Sequence, residues 1–390
     1  GGSGTVAQTQ DKIDELAINT IRTLSIDAIQ KANSGHPGTA MDAAPVAYTL
    51  WQHFLRYDPK SPHWINRDRF VLSAGHASML LYSLIHLAGI EAADIGYQSH
   101  DGAAVTLDDI KGFREEGSRC PGHPEYGWTT GVESTTGPLG QGIATSVGMA
   151  IAGKWLGATY NKPGFELFDY NVYALCGEGC LMEGVGSEAA SLAGHLKLSN
   201  LCWIFDNNNV TIDGHANITF TEDVAKRFDA YGWNVVRVSD ANDLGELAGA
   251  LNAFLATDDK PTIIIIHSHI GYGSPGKHDT PAAHGEPLGP DEVRRTKEFF
   301  GFDSDKFFVV PDGVREHFTS HMERRGSDLR AKWEALFADY ARAHPDQAKQ
   351  IELIRDRELP EGWDADIPTF DADPTGIATR AASGKVLNAI

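Results

Sequence analysis

Two apolar runs in this chain end in oxygen-bearing side chains. YALCGEGCLMEG leaves its run at Gly177-Glu178-Gly179, and CWIFDNNNVTIDG leaves the next at Asp206-Asn207-Asn208. If both runs are buried strands of a parallel sheet, Glu178 and Asn208 leave from carboxyl ends on one edge, where ligands of such sheets bind. A carboxylate and an amide oxygen flanked by small glycines suit a hard divalent cation that holds a diphosphate. Four histidines sit in Gly/Pro turns: His36 in SGHPG, His76 in SAGHAS, His123 in PGHPE and His284 in AAHGEPLG. A lone loop histidine is ordinarily a surface residue, but four in one turn context can bind phosphate oxygens and move protons from hydroxyls near pH 7. TTGPLGQG, residues 135–142, precedes a helix start that favours anions, although a plain turn reads the same way. Glu183, five residues beyond Glu178, reads either as a solvated acid at a helix start or as a buried relay acid near a cofactor.

The elements that must hold these residues alternate. Residues 11–33 have the periodicity of an amphipathic helix that SGHPG terminates, and a second helix is expected over about 39–55. RFVLS reads as a strand, GHASMLLYSLIHLAG as a turn into a helix, and TLDDIKGF as a helix capped by Thr106. From about 114 to 142 the chain is a long Gly-, Pro- and Thr-rich loop. NVYALCG, LCWIF, NVVRV and TIIIIHS then read as strands separated by helical segments. Apolar strands alternating with amphipathic helices predict an α/β fold, a parallel sheet with helices on both faces. Helices are expected near 290–300 and 312–343. The acidic stretch 351–375, with Pro360, Pro368 and Pro374, reads as a linker, and 376–390 as the start of another domain. An apolar-faced helix that reaches Ile390 without a stop signal suggests a missing second half. GGSG at 1–4 reads as an appended scar, and residues 1–10 are expected to be disordered.

Composition narrows the function classes. The 390 residues carry a net charge of −20, which argues against a nucleic-acid surface. No apolar run is long enough to span a bilayer and no signal segment is evident, so no membrane partner and a cytoplasmic location are expected. The four cysteines, Cys120, Cys176, Cys180 and Cys202, fit a reducing compartment better than a disulfide scaffold. Cys176 and Cys180 bracket Glu178, but no second Cys or His pair completes a zinc site, and small buried residues are the expected role. There is no GxxxxGK[ST] loop and no GxGxxG after a strand, which disfavours nucleotide binding.

Taken in chain order, KANSGHPGTAMD, RFVLSAGHAS, PGHPE, TTGPLGQG, the Glu178-to-Asn208 motif, IGYGSPGKHDTPAAHGEPLG and GIATRAASGKVL resemble transketolase from about residue 11 onward. The resemblance implies a thiamine-diphosphate-binding fold: a diphosphate domain over 11–350, the linker, and the start of a pyrimidine-binding domain. It implies thiamine diphosphate with Mg2+ or Ca2+ held by Glu178, Asn208 and the carbonyl of Val210. The family has aspartate where this chain has Glu178, so the carboxylate reaches further by about one carbon–carbon bond. His76, His284 and the Gly179 amide match diphosphate contacts, Gly137 and Leu139 the loop over the cofactor rings, and Ile212 an apolar wall of the thiazolium pocket. His36 and His284 match the pair that deprotonates the donor, with His123 on the donor's terminal hydroxyl and Arg380 on the sugar phosphate. The implied reaction is transfer of a two-carbon ketol unit from a ketose phosphate to an aldose phosphate in the pentose phosphate pathway. The enzyme is expected to be a homodimer, with the glutamate that activates the aminopyrimidine supplied by the rest of the pyrimidine-binding domain, as a second chain or a missing segment. Dihydroxyacetone synthase, a cofactor-holding half without activity of its own, and a metal-dependent hydrolase are the competing readings.

Overall fold

The computed structural model describes residues 3–93 and 102–390, with side chains from Lys12 onward. Five strands form one parallel sheet: β1 (Arg69–Leu72), β2 (Val172–Gly177), β3 (Leu201–Asn207), β4 (Asn234–Val238) and β5 (Thr262–His267), in the order β1-β2-β3-β5-β4. Each strand anticipated from the apolar runs is present. The central strands are largely apolar because both faces are covered, and β2 and β5 are buried along their lengths up to the final residue, whereas the edge strand β4 is only partly buried.

The helices in chain order are α1 (Ser3–Ala32), α2 (Pro37–Asp42), α3 (Ala44–His53), α4 (Ser78–Ala88), α5 (Leu107–Lys111), α6 (Gln141–Tyr160), α7 (Glu178–Met182), α8 (Gly184–His195), α9 (Val224–Ala230), α10 (Leu244–Leu255), α11 (Pro290–Phe299), α12 (Val314–Phe318), α13 (Arg324–Ala343), α14 (Pro345–Asp356) and α15 (Thr379–Leu387). Alternate strand residues face opposite layers. Tyr173, Leu175, Ile204, Ile264 and Ile266 join the core with α1, α3, α4 and α10. On the other face Trp203 meets Trp233 at 4.8 Å between ring centres and donates Nε1–H to Ser146 of α6 at 2.9 Å. Both indole donors are satisfied, since Trp233 donates to the Ala190 carbonyl at 2.8 Å.

Local chemistry sets the helix ends. Thr106 and Asp109 form a reciprocal capping box on α5, while Asp223 and Asp243 cap α9 and α10. The Arg325 guanidinium donates to the carbonyls of Trp51, Gln52 and Leu55 and so satisfies the carboxyl end of α3.

Three expectations are corrected. The segment 39–55 is two helices, broken at Ala43, because Pro45 falls in the first turn of α3 and cannot donate to a continuing helix. Helical backbone begins at Ser3, within the stretch expected to be disordered. The chain divides into compact units at Lys332/Trp333, and α14 stays helical to Asp356, inside the expected linker. The first unit contains the whole sheet. The second, from Trp333, contains the rest of α13 with α14 and α15.

Candidate functional site

The sheet brings the ends of its central strands together. Register pairs Gly177 with Asp206 and Asn207 with His267, so the residues that follow β2, β3 and β5 emerge side by side. The next residues are Glu178, Asn208 and Ser268, and the loop after β1 carries His76. This is the carboxyl edge where parallel sheets place their ligands.

Glu178 is 3 % exposed and accepts the Asn209 backbone N–H at 2.5 Å. Asn209 adopts the left-handed conformation at φ 60, which asparagine tolerates better than most residues. The Asn208 side-chain amide donates from Nδ2 to Asp42 Oδ2 and to Asp206 Oδ2, each at 3.1 Å. Its Oδ1 accepts the Val210 N–H at 3.0 Å. Ser268 donates its hydroxyl to Asp206. Burial, and then the charge of Asp206, pushes Glu178 up to about 8. Burial also raises Asp42 and Asp206. Three buried acids therefore share this edge, and no ion pair to a Lys or Arg neutralises them among the described residues. A divalent cation fits such a donor set: buried oxygen ligands that release their protons when a positive charge is supplied, with no Lys or Arg paired to them.

Beside this edge the four turn histidines converge. Ring centres lie 5.2 Å apart for His36 and His76, 5.7 Å for His36 and His284, 4.9 Å for His76 and His284, and 6.4 Å for His36 and His123. His36 is the N-cap residue of α2, His76 sits in the short 3-10 turn after β1, and His284 follows another at Pro281–Ala283. Gly/Pro turns hold all of them. His36 Nδ1 and His284 Nδ1 are buried with no protein partner, which fits a polar ligand between them. Burial lowers all four imidazoles, His36 to about 4, with neighbouring imidazoles or Arg114 adding to the effect on His36, His76 and His123. They are neutral at pH 7, able to accept a proton or to donate a hydrogen bond.

The loop 135–142 joins the two groups. A Cβ on Gly75 would lie 2.5 Å from Thr136 Oγ1 and 2.6 Å from the Gly137 nitrogen, and one on Gly137 would lie 3.2 Å from the His123 ring. Gly137 has φ +144, a conformation for glycine. Leu139 lies over Gly179, 2.7 Å from the position of a Cβ there. Ile212 is 58 % exposed and leans over Gly285, whose Cβ position also lies 3.6 Å from His36. Gly75→Ala is therefore expected to push the 136–137 backbone off β1 and to destabilise the chain by about 1–3 kcal/mol, read as a lowered thermal midpoint.

Most of the expected site residues thus share one edge. Glu183 is exposed at the N-cap position of α8 beside Gly140 and makes no side-chain cap, so within this chain it is not a buried acid; its charge suits the helix N-terminus, as the solvated reading expects. Arg380 belongs to α15 of the second unit. Sequence reasoning missed Asp42. Its one signal is a solitary acid in the otherwise uncharged run PGTAMDAAPVAYTLWQ.

The lowered imidazoles also have a consequence for stability. A histidine whose folded pKa lies below its unfolded value of 6.5 contributes stability that is present above 6.5 and is lost as pH falls toward the folded value, about 4 for His36. His36→Gln is expected to flatten the fall of the thermal midpoint between pH 6.5 and 4, measured by scanning calorimetry beside the parent chain.

The chain is similar to known proteins over nearly its whole length. The family described as transketolase, thiamine diphosphate binding domain, matches residues 13–360. Transketolase of Geobacillus stearothermophilus is 52 % identical over 378 residues, covering 97 % of this chain and 54 % of that protein. Transketolase 1 of Saccharomyces cerevisiae is 48 % identical, covering 96 % and 53 %. The structure of a transketolase complex with sedoheptulose-7-phosphate from Pichia stipitis superimposes with a TM-score of 0.89 at 42 % identity, over 97 % of this chain and 54 % of that one. The chain thus spans about half the length of the relatives it matches.

Proposed function

Because the chain belongs to the transketolase family through its thiamine-diphosphate-binding domain, we propose that it forms the diphosphate- and metal-holding half of a transketolase active site. The observation that carries the proposal is the convergence of His36, His76, His123 and His284 beside the Glu178–Asn208 edge. When bound, thiamine diphosphate supplies the nucleophilic thiazolium carbon and the electron sink. Glu178, Asn208 and the Val210 carbonyl are the proposed ligands of Mg2+ or Ca2+. His76, His284 and the Gly179 amide are proposed to hold the diphosphate, and Gly137, Leu139 and Ile212 to line the ring pocket.

The neutral imidazoles of His36 and His284 are the proposed acceptors of the donor hydroxyl proton, a role supported by their buried, unpartnered Nδ1 atoms. His123, at the open side, is the proposed contact to the donor's terminal hydroxyl, and Arg380 the proposed contact to its phosphate. The substrates would be sugar phosphates, in a two-carbon ketol transfer of the pentose phosphate pathway. Glu183 keeps its proposed relay role only where a second chain covers it, in a homodimer completed by the remaining pyrimidine-binding and C-terminal domains. No helix among the described residues is long and apolar enough to cross a membrane, and four buried, unpaired cysteines support a reducing cytoplasm.

The test is ketol transfer from xylulose 5-phosphate to ribose 5-phosphate by this chain together with the pyrimidine-binding half. Turnover dependent on thiamine diphosphate and MgCl2 is expected. Turnover without the cofactor, or formaldehyde accepted in preference to ribose 5-phosphate, would overturn the reading.

A further inference from the structure

The geometry points to Asp42 as a positioning residue that sets which face the Asn208 amide turns toward the metal. A side-chain amide has two donor hydrogens on nitrogen and one acceptor oxygen, and its two orientations fill nearly the same space. At Asn208 both Nδ2 hydrogens are engaged. One goes to Asp206 Oδ2, near the end of β3 two residues before it, and the other to Asp42 Oδ2, at the end of α2 and 166 residues earlier. A flipped amide would set Oδ1 against two carboxylates. The observed orientation leaves Oδ1 on the opposite side, where the Val210 N–H occupies one lone pair and a cation can take the other.

The anchors are themselves held. Asp206 accepts the Ser268 hydroxyl, and the Arg22 Nε–H donates to the Met41 carbonyl at 2.8 Å, fixing the turn that presents Asp42. Asp42 is 1 % exposed, and its Oδ1 has no partner. Burying that carboxyl next to Asp206 without a cation works against stability, so packing alone does not account for it. Orienting Asn208 does. Partners behind metal ligands typically contribute about 10–100-fold to metal affinity by fixing ligand orientation.

The inference rests on the proposed role of Asn208 as a metal ligand. The test is calorimetric titration of MgCl2 into the chain at saturating thiamine diphosphate, with the metal-free melting temperature taken alongside. Asp42→Ala is expected to weaken Mg2+ binding about 10–100-fold. Asp42→Asn, which keeps an acceptor oxygen in the same place, is expected to stay close to the parent. Asp42→Leu, similar in volume and without an acceptor, is expected to behave as the alanine variant does and replaces it if that variant does not fold. Parent-like affinity in the alanine or leucine variant, with only the metal-free melting temperature changed, would reduce Asp42 to a structural residue and overturn the inference. An asparagine variant as weak as the alanine one would overturn it too, by assigning the effect to charge. A parent chain that binds no Mg2+ would instead overturn the proposed metal site, and the inference with it.

Discussion

Glu178→Ala is expected to abolish the metal-dependent binding of thiamine diphosphate, weakening it by at least about 100-fold, beyond what an outer partner of a ligand contributes. Glu178 is one of three buried acids on an edge without a neutralising Lys or Arg among the described residues, and its carboxylate is already seated on the Asn209 amide. A divalent cation would supply the missing positive charge, so loss of this carboxylate removes both a ligand and the electrostatic reason for the metal to bind. Glu178→Gln separates the two effects. Burial raises the folded pKa of Glu178 from 4.5 to about 8, so the stability this carboxyl contributes is present below 4.5 and is lost as pH rises toward 8. The isosteric neutral amide is released from that penalty. The metal-free glutamine variant is expected to be more stable than the parent at pH 7, by an amount of order 1–3 kcal/mol. Its melting temperature is expected not to rise on addition of MgCl2 and thiamine diphosphate, whereas that of the parent does. Thermal scans with and without both additives read the two effects in one experiment, and a metal response that survives in the alanine variant would remove Glu178 from the ligand set.

The sheet was legible because its central strands are buried on both faces. TIIIIH and LCWIF have no reading as amphipathic helices at that length, and the Gly- or Asp-marked turns between runs fix where each ends. The histidines were legible for a related reason: Gly and Pro beside each one mark a turn, and turns after strands collect at one edge. What escaped is what depends on distant pairing. Nothing near Asp42 in the chain announces Asn208, and a periodicity reading carries one helix through Ala43, where Pro45 in fact starts another. The unit boundary at Lys332/Trp333 falls inside α13, which has no local break to betray it. Gly326 in the same helix looks like a weak point by propensity, yet a Cβ there would lie 1.8 Å from the Tyr57 carbonyl, so glycine permits the close approach of two backbones. Glu183 illustrates the opposite limit. The sequence left it open between a solvated helix-start acid and a buried relay acid, and at the start of α8 it is exposed in this chain.

His36→Ala and His284→Ala, in the enzyme completed by its second half, are each expected to lower kcat for ketol transfer by about 10²–10⁴ while leaving Mg2+ affinity near that of the parent. The two rings meet edge-on at 5.7 Å, and His284 also stacks on His76 at 4.9 Å. Each has its Nδ1 buried and unpaired, and each is neutral at pH 7, so either can take a proton that the other relays. Residues that act as one unit do not add. The double variant is therefore expected to fall little below the worse single one, whereas two independent contributions would multiply. His123 gives the contrast. It is exposed, touches the Gly137 loop and stands furthest of the measured pairs from His36, at 6.4 Å, so His123→Ala is expected to raise the KM of the donor more than it lowers kcat. A fall in kcat at His36 and His284 with a raised KM at His123 would place proton transfer inside the cluster and donor recognition at its mouth. Equal KM effects at all three would make the histidines a binding surface, and the base would then have to come from the second half of the enzyme.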